Sequence, residues 1–337
     1  MIPDFLALPK GAKIGASSSG SDERQFLDFF SGAIGVAQSK DFVGPYRLFH
    51  LIRAGATFEI WAVRPTSEDK VFAMKWLPKG RKYNSTSVAE LKHEYTVGKL
   101  LDHESCIQTY EYGTSKNGAY LVMELFKQFN IKQHIIQSVE SVKQGGPNLI
   151  LHRAKEVLTS AAAAISHMHS KGWVHRDIKP DNFLLSPENV VKLIDFTIAA
   201  KTTSGLGKLL GAKSKVQGTY SYMAPEQISG KGVDPRDDVY SLGCMAHELL
   251  TGKVPFTANS PNELLQSHLT RKPPLVTVAN KNVRPEFAAY VQRMLAKERK
   301  DRPDTIKEVM LKLKTEPIFY SPPPPPEEAP QAAEDQE

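Results

Sequence analysis

"HRDIKPDN", residues 175–182, is the stretch on which the fold turns. It packs two acids (Asp177, Asp181), two bases (Arg176, Lys179) and an amide (Asn182) into one short run, which is unusual for a plain connection between elements. The run upstream, "LILHRAKEVLTSAAAAISHMH" (149–169), reads as a long helix whose alanines favour tight packing. Downstream, "NFLLS" (182–186) and "VVKLIDF" (190–196) read as two short strands around a loop. A charged turn between a buried helix and a strand pair is where function-bearing side chains are commonly displayed.

Working outward, the chain from Tyr46 to about Leu125 alternates in β-rich runs: "YRLFHLI", "FEIWAVRP", "VFAMKWL", "QTYEYGTS" and "AYLVMEL". One helical run interrupts them, "SVAELKHEYTVGKLLDH" (87–103). After Leu125 the pattern turns helical, with "IKQHIIQSV", "DVYSLGCMAHELLTG", "PNELLQSHL", "PEFAAYVQRMLA" and "TIKEVMLKLK". Residues 1–44 form an N-terminal extension with a flexible Gly/Ser stretch, "GASSSGSDE", and a short amphipathic helix signal, "RQFLDFFSGAIGV". Residues 316–337 end in "SPPPPPEEAPQAAEDQE", a stiff, solvated tail expected to stay disordered.

With 41% hydrophobic and 24% charged residues, the chain has the balance of a globular protein. Its net charge is +6, although Glu327, Glu328, Glu334, Asp335 and Glu337 make the tail acidic, so the body is more basic than the total suggests. That fits a phosphate-bearing or acidic partner as well as an ordinary soluble surface. No zinc finger or aromatic-and-basic motif points to nucleic acid. Cys106 and Cys244 stand apart in apolar surroundings and read as buried thiols. No basic leader and no membrane-length apolar run is present, so the expectation is a cytoplasmic protein with no membrane span.

"HRDIKPDN" resembles the catalytic loop of the eukaryotic-like (Hanks-type) serine/threonine protein kinases. The resemblance covers about residues 46–314 and implies an α+β, bilobal protein kinase fold. In it, residues 45–125 form a small β-rich N-lobe with one main helix, and residues 126–315 a larger, mostly helical C-lobe. By the same resemblance Asp177 orients the acceptor hydroxyl, Lys179 steadies the transferred phosphoryl group, and Asn182 holds magnesium together with Asp195 of "VKLIDF". ATP and Mg2+ are the implied cofactors, and protein substrates with Ser/Thr acceptors the implied partners. Lys179 two places beyond Asp177, and Thr219 in "GTYSYMAPEQ" (218–227), are the forms found in Ser/Thr-directed members. Glu226 is expected to pair with Arg302, and Asp238 to anchor the catalytic loop.

In the N-lobe the resemblance places Lys75 against the nucleotide phosphates and Glu94 as its partner, with Glu90 as rival one helical turn earlier. It puts Met123 behind the adenine, and the backbone groups of Glu124 and Phe126 in "YLVMELF" against the base. Ile52, Ile60, Ala73 and Leu184 complete the implied nucleotide-binding set. Three departures stand out. In "IRAGATFEI" only Gly55 survives of three phosphate-loop glycines, with Arg53 and Phe58 at the flanking positions. Thr197 follows Asp195–Phe196 where glycine is usual, which changes the hinge rather than the ligand. Gly98 and Thr109 replace large apolar residues above Phe196; the stack is expected to be thin, and Gly98→Leu to raise activity.

Arg176 beside Asp177 implies regulation by phosphate in the following segment, where Thr202, Thr203, Ser204 and Ser214 lie among lysines, so autophosphorylation between residues 198 and 219 is expected. The alternatives are a pseudokinase serving as a nucleotide-binding or scaffold protein, and a kinase of small molecules or lipids. Retention of Lys75, Asp177 and Asp195 speaks against the first, and "GTYSYMAPEQ" against the second. Asp181 and Asn130 give conflicting signals on substrate sequence. The proline run fits a spacer or a segment docking to an aromatic groove.

Overall fold

The alternation between Tyr46 and Met123 builds one six-stranded sheet. Its strands are β1 (Phe42–Val43), β2 (Tyr46–Ala54), β3 (Glu59–Pro65), β4 (Phe72–Pro78), β5 (Thr109–Ser115) and β6 (Gly118–Met123), in the order β1-β2-β3-β4-β6-β5. This computed structural model describes residues 42–203 and 217–326. Neighbours from β2 onward pair antiparallel. Successive side chains leave a strand on opposite faces. So β4 sends Met74 into a cluster with Val63, Tyr120 and Val122, and Leu77 into another with Ala119, Leu121 and Leu91 of α1 (Ser85–Gly98). Ala73 and Lys75 share the Leu77 face, which turns the lysine toward α1.

Asn84 starts α1 by accepting the Ser87 N–H at 2.9 Å. The helix stops at Gly98, short of His103, where the sequence pattern had carried it. Beyond β6 the chain is mostly helical: α2 (Ile131–Lys143), α3 (Ala154–Ser170), α4 (Pro225–Ile228), α5 (Arg236–Thr251), α6 (Pro261–Thr270), α7 (Val276–Ala279), α8 (Pro285–Met294) and α9 (Ile306–Thr315). Helix α5 is buried from Asp237 to Leu250 and forms the centre of this lobe. Buried Ala161, Ala162 and Ala164 keep α3 narrow where it packs on α5 and α9. Gly243 is required by close approach, because a Cβ there would lie 2.9 Å from Cβ of Met294 on α8. The sheet-and-helix lobe followed by a helical lobe is the α+β arrangement expected.

Between α3 and α4 lie β7 (Trp173–Val174), β8 (Phe183–Leu185), β9 (Val191–Leu193) and β10 (Ala200–Lys201). β8 and β9 form a hairpin, and β10 pairs with β7. The expected boundaries shift at both ends. Val43, assigned to the extension, is fully buried with Tyr46 and Tyr120. Ile318 and Phe319, assigned to the disordered tail, belong to the helical lobe's core, and Phe319 pairs with Val283. Both apolar residues precede the proline run, so the tail's composition does not describe them. Cys106 and Cys244 are free and buried. Among the described residues no helix is long and apolar enough to cross a membrane.

Candidate active site

The loop between β7 and β8 is fixed from beneath by a carboxylate on α5. Asp238, fully buried, accepts the backbone N–H groups of His175 and Arg176 at 2.8 Å each, and its Oδ2 also meets His169 Nε2 at 2.8 Å. Two successive N–H groups converge on one carboxylate here because Arg176 takes a left-handed backbone angle, φ 70°. Burial alone would raise the pKa of Asp238, but the His169 contact and the backbone donors outweigh it and hold the carboxyl below its ordinary value.

Above this anchor Asp177 is enclosed by partners. Its Oδ2 accepts from Lys179 Nζ at 2.7 Å, and its Oδ1 accepts from the backbone N–H and the hydroxyl of Thr219, both at 2.9 Å. Lys179 also donates to Thr219 Oγ1 at 2.6 Å. Gly218 (φ +126°) brings this segment in, and a Cβ there would sit 3.1 Å from the Arg176 carbonyl. Asn182 donates its amide nitrogen to the Asp177 carbonyl at 2.8 Å and to Oδ2 at 3.1 Å. That orientation turns its amide oxygen away from Asp177. The Asn182 carbonyl accepts from Ile194 N–H at 2.9 Å, and the β8–β9 hairpin thereby sets Asn182 beside the Ile194–Asp195 step.

Asp195 also has a left-handed backbone, φ 64°, which puts its carboxylate on the cleft side while Phe196 is buried. The Phe196 ring meets His175 edge-on at 5.8 Å. Lys75 reaches Glu94 Oε2 at 2.6 Å and Asp195 Oδ1 at 3.6 Å, so Glu94 and not Glu90 is its partner on α1. The side chains of Lys75 and Glu94 are 11% and 5% exposed against 41% for Asp195, so of the three it is Asp195 that faces solvent. Burial would lower the Lys75 pKa, but Asp195 and Glu94 outweigh it and hold the ammonium above its ordinary value. Burial would raise Asp195, yet Lys75 and the Thr197 hydroxyl hold it well below the usual carboxylate range. Burial pushes the Glu94 carboxyl up, against the pull of Lys75.

The Asp195 carboxylate, which faces solvent, and the side-chain amide oxygen of Asn182, whose backbone is hydrogen-bonded to the neighbouring Ile194, are both hard oxygen donors. They fit a divalent cation that completes its shell with phosphate oxygens and water. At the hinge, the Glu124 N–H donates to the Gln108 carbonyl at 2.8 Å, and the Phe126 carbonyl accepts from Gln128 at 2.9 Å. The Glu124 side chain is held by Lys192 at 3.0 Å. Ala73 lies opposite Met123 on β6, and Ile60 opposite Lys75 on β4. Ile52 is exposed on β2, and Leu184 is half-buried on β8.

Two features escaped the sequence. Gly55 is held from both sides: its N–H donates to the Phe58 carbonyl of its own loop at 2.9 Å, and from outside Arg81 donates to its carbonyl at 2.6 Å while pairing with Glu59 at 2.7 Å. A Cβ on Gly55 would lie 2.9 Å from the Phe58 carbonyl, so this glycine serves a close approach within the loop. The second is at Gly98, where the thin stack expected over Phe196 is absent because the backbone itself has moved in. A Cβ on Gly98 would lie 2.4 Å from Thr109 Oγ1 and 3.3 Å from the Phe196 ring. Leucine has no space to enter without moving Thr109 and Phe196, so Gly98→Leu is not expected to raise activity.

In the segment after Phe196, Thr203 donates its N–H to the Val233 carbonyl at 2.9 Å and accepts the Val233 N–H on its hydroxyl at 2.8 Å. The Thr202 N–H donates to the Gly172 carbonyl at 3.0 Å, and its hydroxyl lies 3.5 Å from the same oxygen. Ser204 and Ser214 lie outside the described residues. Farther off, Glu226 and Arg302 form a buried two-pronged pair, with the second contact at 2.8 Å.

The family model described as "Protein kinase domain" matches residues 46–312. Similar proteins include the serine/threonine-protein kinase PknB of Mycolicibacterium smegmatis, 31% identical over 268 residues, which are 78% of this chain and 41% of that protein. PknB of Mycobacterium tuberculosis is 30% identical over 268 residues, with the same shares of the two chains. PknH of Mycobacterium bovis is 31% identical over 259 residues, 77% of this chain and 42% of that one. The chain thus matches about two fifths of the length of these relatives. It belongs to the protein kinase family, among the Hanks-type serine/threonine kinases.

Proposed function

We propose that this chain transfers the γ-phosphoryl group of ATP to serine and threonine hydroxyls of proteins, with magnesium as the cation. What supports this most is that two charge networks, Lys75–Glu94–Asp195 and Asp177–Lys179–Thr219–Asn182, are linked through the Asn182–Ile194 backbone contact. Each network supplies what phosphoryl transfer needs. Lys75, fixed by Glu94, offers a charge to the α- and β-phosphates. Asp195 and the Asn182 amide oxygen are the ligands for magnesium, which when bound neutralises charge on the β- and γ-phosphates. Asp177, its carboxylate already oriented by Thr219 and Lys179, orients the acceptor hydroxyl and takes its proton, and Lys179 offsets negative charge on the moving group.

The Glu124 carbonyl and the Phe126 N–H are the hinge groups proposed to bond the adenine, between Ile52 and Ala73 on one side and Leu184 on the other. Ile60 and Met123 close the pocket behind Lys75, and Gly55 covers the phosphates. The Ser/Thr preference is supported by the Lys179–Thr219 contact and by the names the relatives carry. A pseudokinase reading is disfavoured because Lys75, Asp177 and Asp195 each sit in an intact network.

Incubation with a Ser/Thr peptide library and Mg-ATP tests the reading. Transfer to serine or threonine that drops at least about 100-fold in Asp177→Ala is expected for loss of the orienting base; an inactive wild type, or a variant equal to it, would overturn it. Regulation by autophosphorylation between residues 198 and 219 is part of the proposal. Because the Thr203 hydroxyl accepts the Val233 N–H at 2.8 Å whereas the Thr202 hydroxyl has only a 3.5 Å contact to the Gly172 carbonyl, Thr202 is the expected acceptor of the two. Mass mapping that found phosphate on Thr203 and none on Thr202 would contradict that order.

A further inference from the structure

Phe58 and Thr197 stand where the resemblance expects glycine, and the structure brings both to the same ammonium. The centroid of the Phe58 ring is 5.0 Å from Lys75 Nζ, and Thr197 Oγ1 is 3.2 Å from it. Phe58 is an apolar wall, packed against the cluster that contains Leu91 of α1. Thr197 is the polar one. Its hydroxyl lies 2.6 Å from Asp195 Oδ1 and 3.0 Å from Glu94 Oε2, and its N–H donates to the same Asp195 oxygen at 3.3 Å. One side chain therefore touches the lysine, the helix carboxylate and the loop carboxylate.

A hydroxyl has a single proton to give and two lone pairs to receive with. Lys75 supplies a donor to Thr197 Oγ1, and the shorter contact places the hydroxyl proton on Asp195. If Asp195 is engaged elsewhere, a rotation about the C–O bond gives that proton to Glu94 Oε2. In the first arrangement α1 and the Asp195 loop are joined through Lys75, which donates to both Glu94 Oε2 and Thr197 Oγ1; in the second Oγ1 bonds Glu94 directly. Glycine has no such link, and valine would fill the same space without it.

We propose that Thr197 is a positioning residue: its hydroxyl, accepting from Lys75 and donating to Asp195, ties the Lys75–Glu94 pair to the loop and so holds Lys75, α1 and the cation-binding loop in register before nucleotide arrives. This rests on the phosphoryl-transfer reading of the site. The role belongs to the oxygen and not to the branched side chain, so serine retains it and valine loses it. Hydrogen bonds to charged groups are the strong ones in proteins, and losing one opens local structure about tenfold or more.

The test is amide hydrogen exchange, by mass spectrometry, of peptides covering residues 88–98 in the nucleotide-free full chain, for wild type, Thr197→Val, Thr197→Ser and Thr197→Gly. Exchange about tenfold faster in the valine and glycine variants, recovered for the most part by serine, is expected from loss of one charge-assisted bond. In steady-state transfer with Mg-ATP, the valine variant should lose about tenfold in kcat with an unchanged KM for peptide, and serine should recover it. Valine exchanging like wild type, or serine behaving like valine, would overturn the proposal. If the valine variant does not melt cooperatively, serine is compared with glycine, and equal exchange in those two overturns it. A wild type without transfer would sink the kinase reading, while the exchange pattern would still decide the role of Thr197.

Discussion

At Gly98 one hydrogen atom sets how near α1 comes to β5. Any side chain there meets Thr109 Oγ1 within 2.4 Å and then the Phe196 ring, both buried. Overpacking of this kind costs about 1–3 kcal/mol. Gly98→Leu should therefore lower the melting temperature and the transfer rate together, and a variant more active than wild type would restore the thin-stack picture. Lys75, Asp177, Asn182 and Asp195 were singled out because each sits in a short motif whose neighbours mark it, and Glu94 by its spacing from Lys75 with His103 beyond it. The work of the Thr197 hydroxyl was not legible. Two of its partners lie 103 and 122 residues away, and no local pattern marks which residue will meet them. Only its departure from glycine was visible.

The long elements of the chain declare themselves by period. The five strands β2–β6 and the helices α1, α2, α3, α5, α6, α8 and α9 each carry an apolar repeat long enough to read. The pairs β1, β7 and β10 are two residues long and have no period, and the short α4 and α7 have too few turns to show one. Helix α6 carries a consequence that periodicity hides. His268 is fully buried, its Nδ1 meets Tyr240 OH at 2.9 Å, and burial, with Lys297 nearby, pushes its pKa down to about 4. The fold holds the neutral imidazole. Its contribution is complete above the unfolded value of about 6.5 and is lost as pH falls toward 4, up to roughly 3 kcal/mol. Stability measured by denaturant should fall less steeply between pH 6.5 and 4 in His268→Gln than in wild type; parallel curves would contradict this.

For the molecule as a whole, the division into a β-rich and a helical part was readable, but its outer limits were not. Composition changes at the proline run, whereas packing changes earlier, at Phe319. Ending the chain after Thr315 removes Ile318 and Phe319, each of which stabilises by about 1.5–3 kcal/mol when buried. Ending it after Ser321 removes neither. The shorter chain should melt well below the 337-residue chain and the longer one beside it; equal melting of the two truncations would place the boundary back at residue 316.

Phosphoryl transfer at this site requires Asn182 and Asp195 to serve one cation in front of Lys75. Crystals grown with manganese and a non-hydrolysable ATP analogue would show this directly through anomalous scattering. The predicted result is a peak at bonding distance from the Asp195 carboxylate and the Asn182 amide oxygen, with the adenine against residues 123–126. A peak elsewhere, or a nucleotide bound away from Lys75, would contradict it.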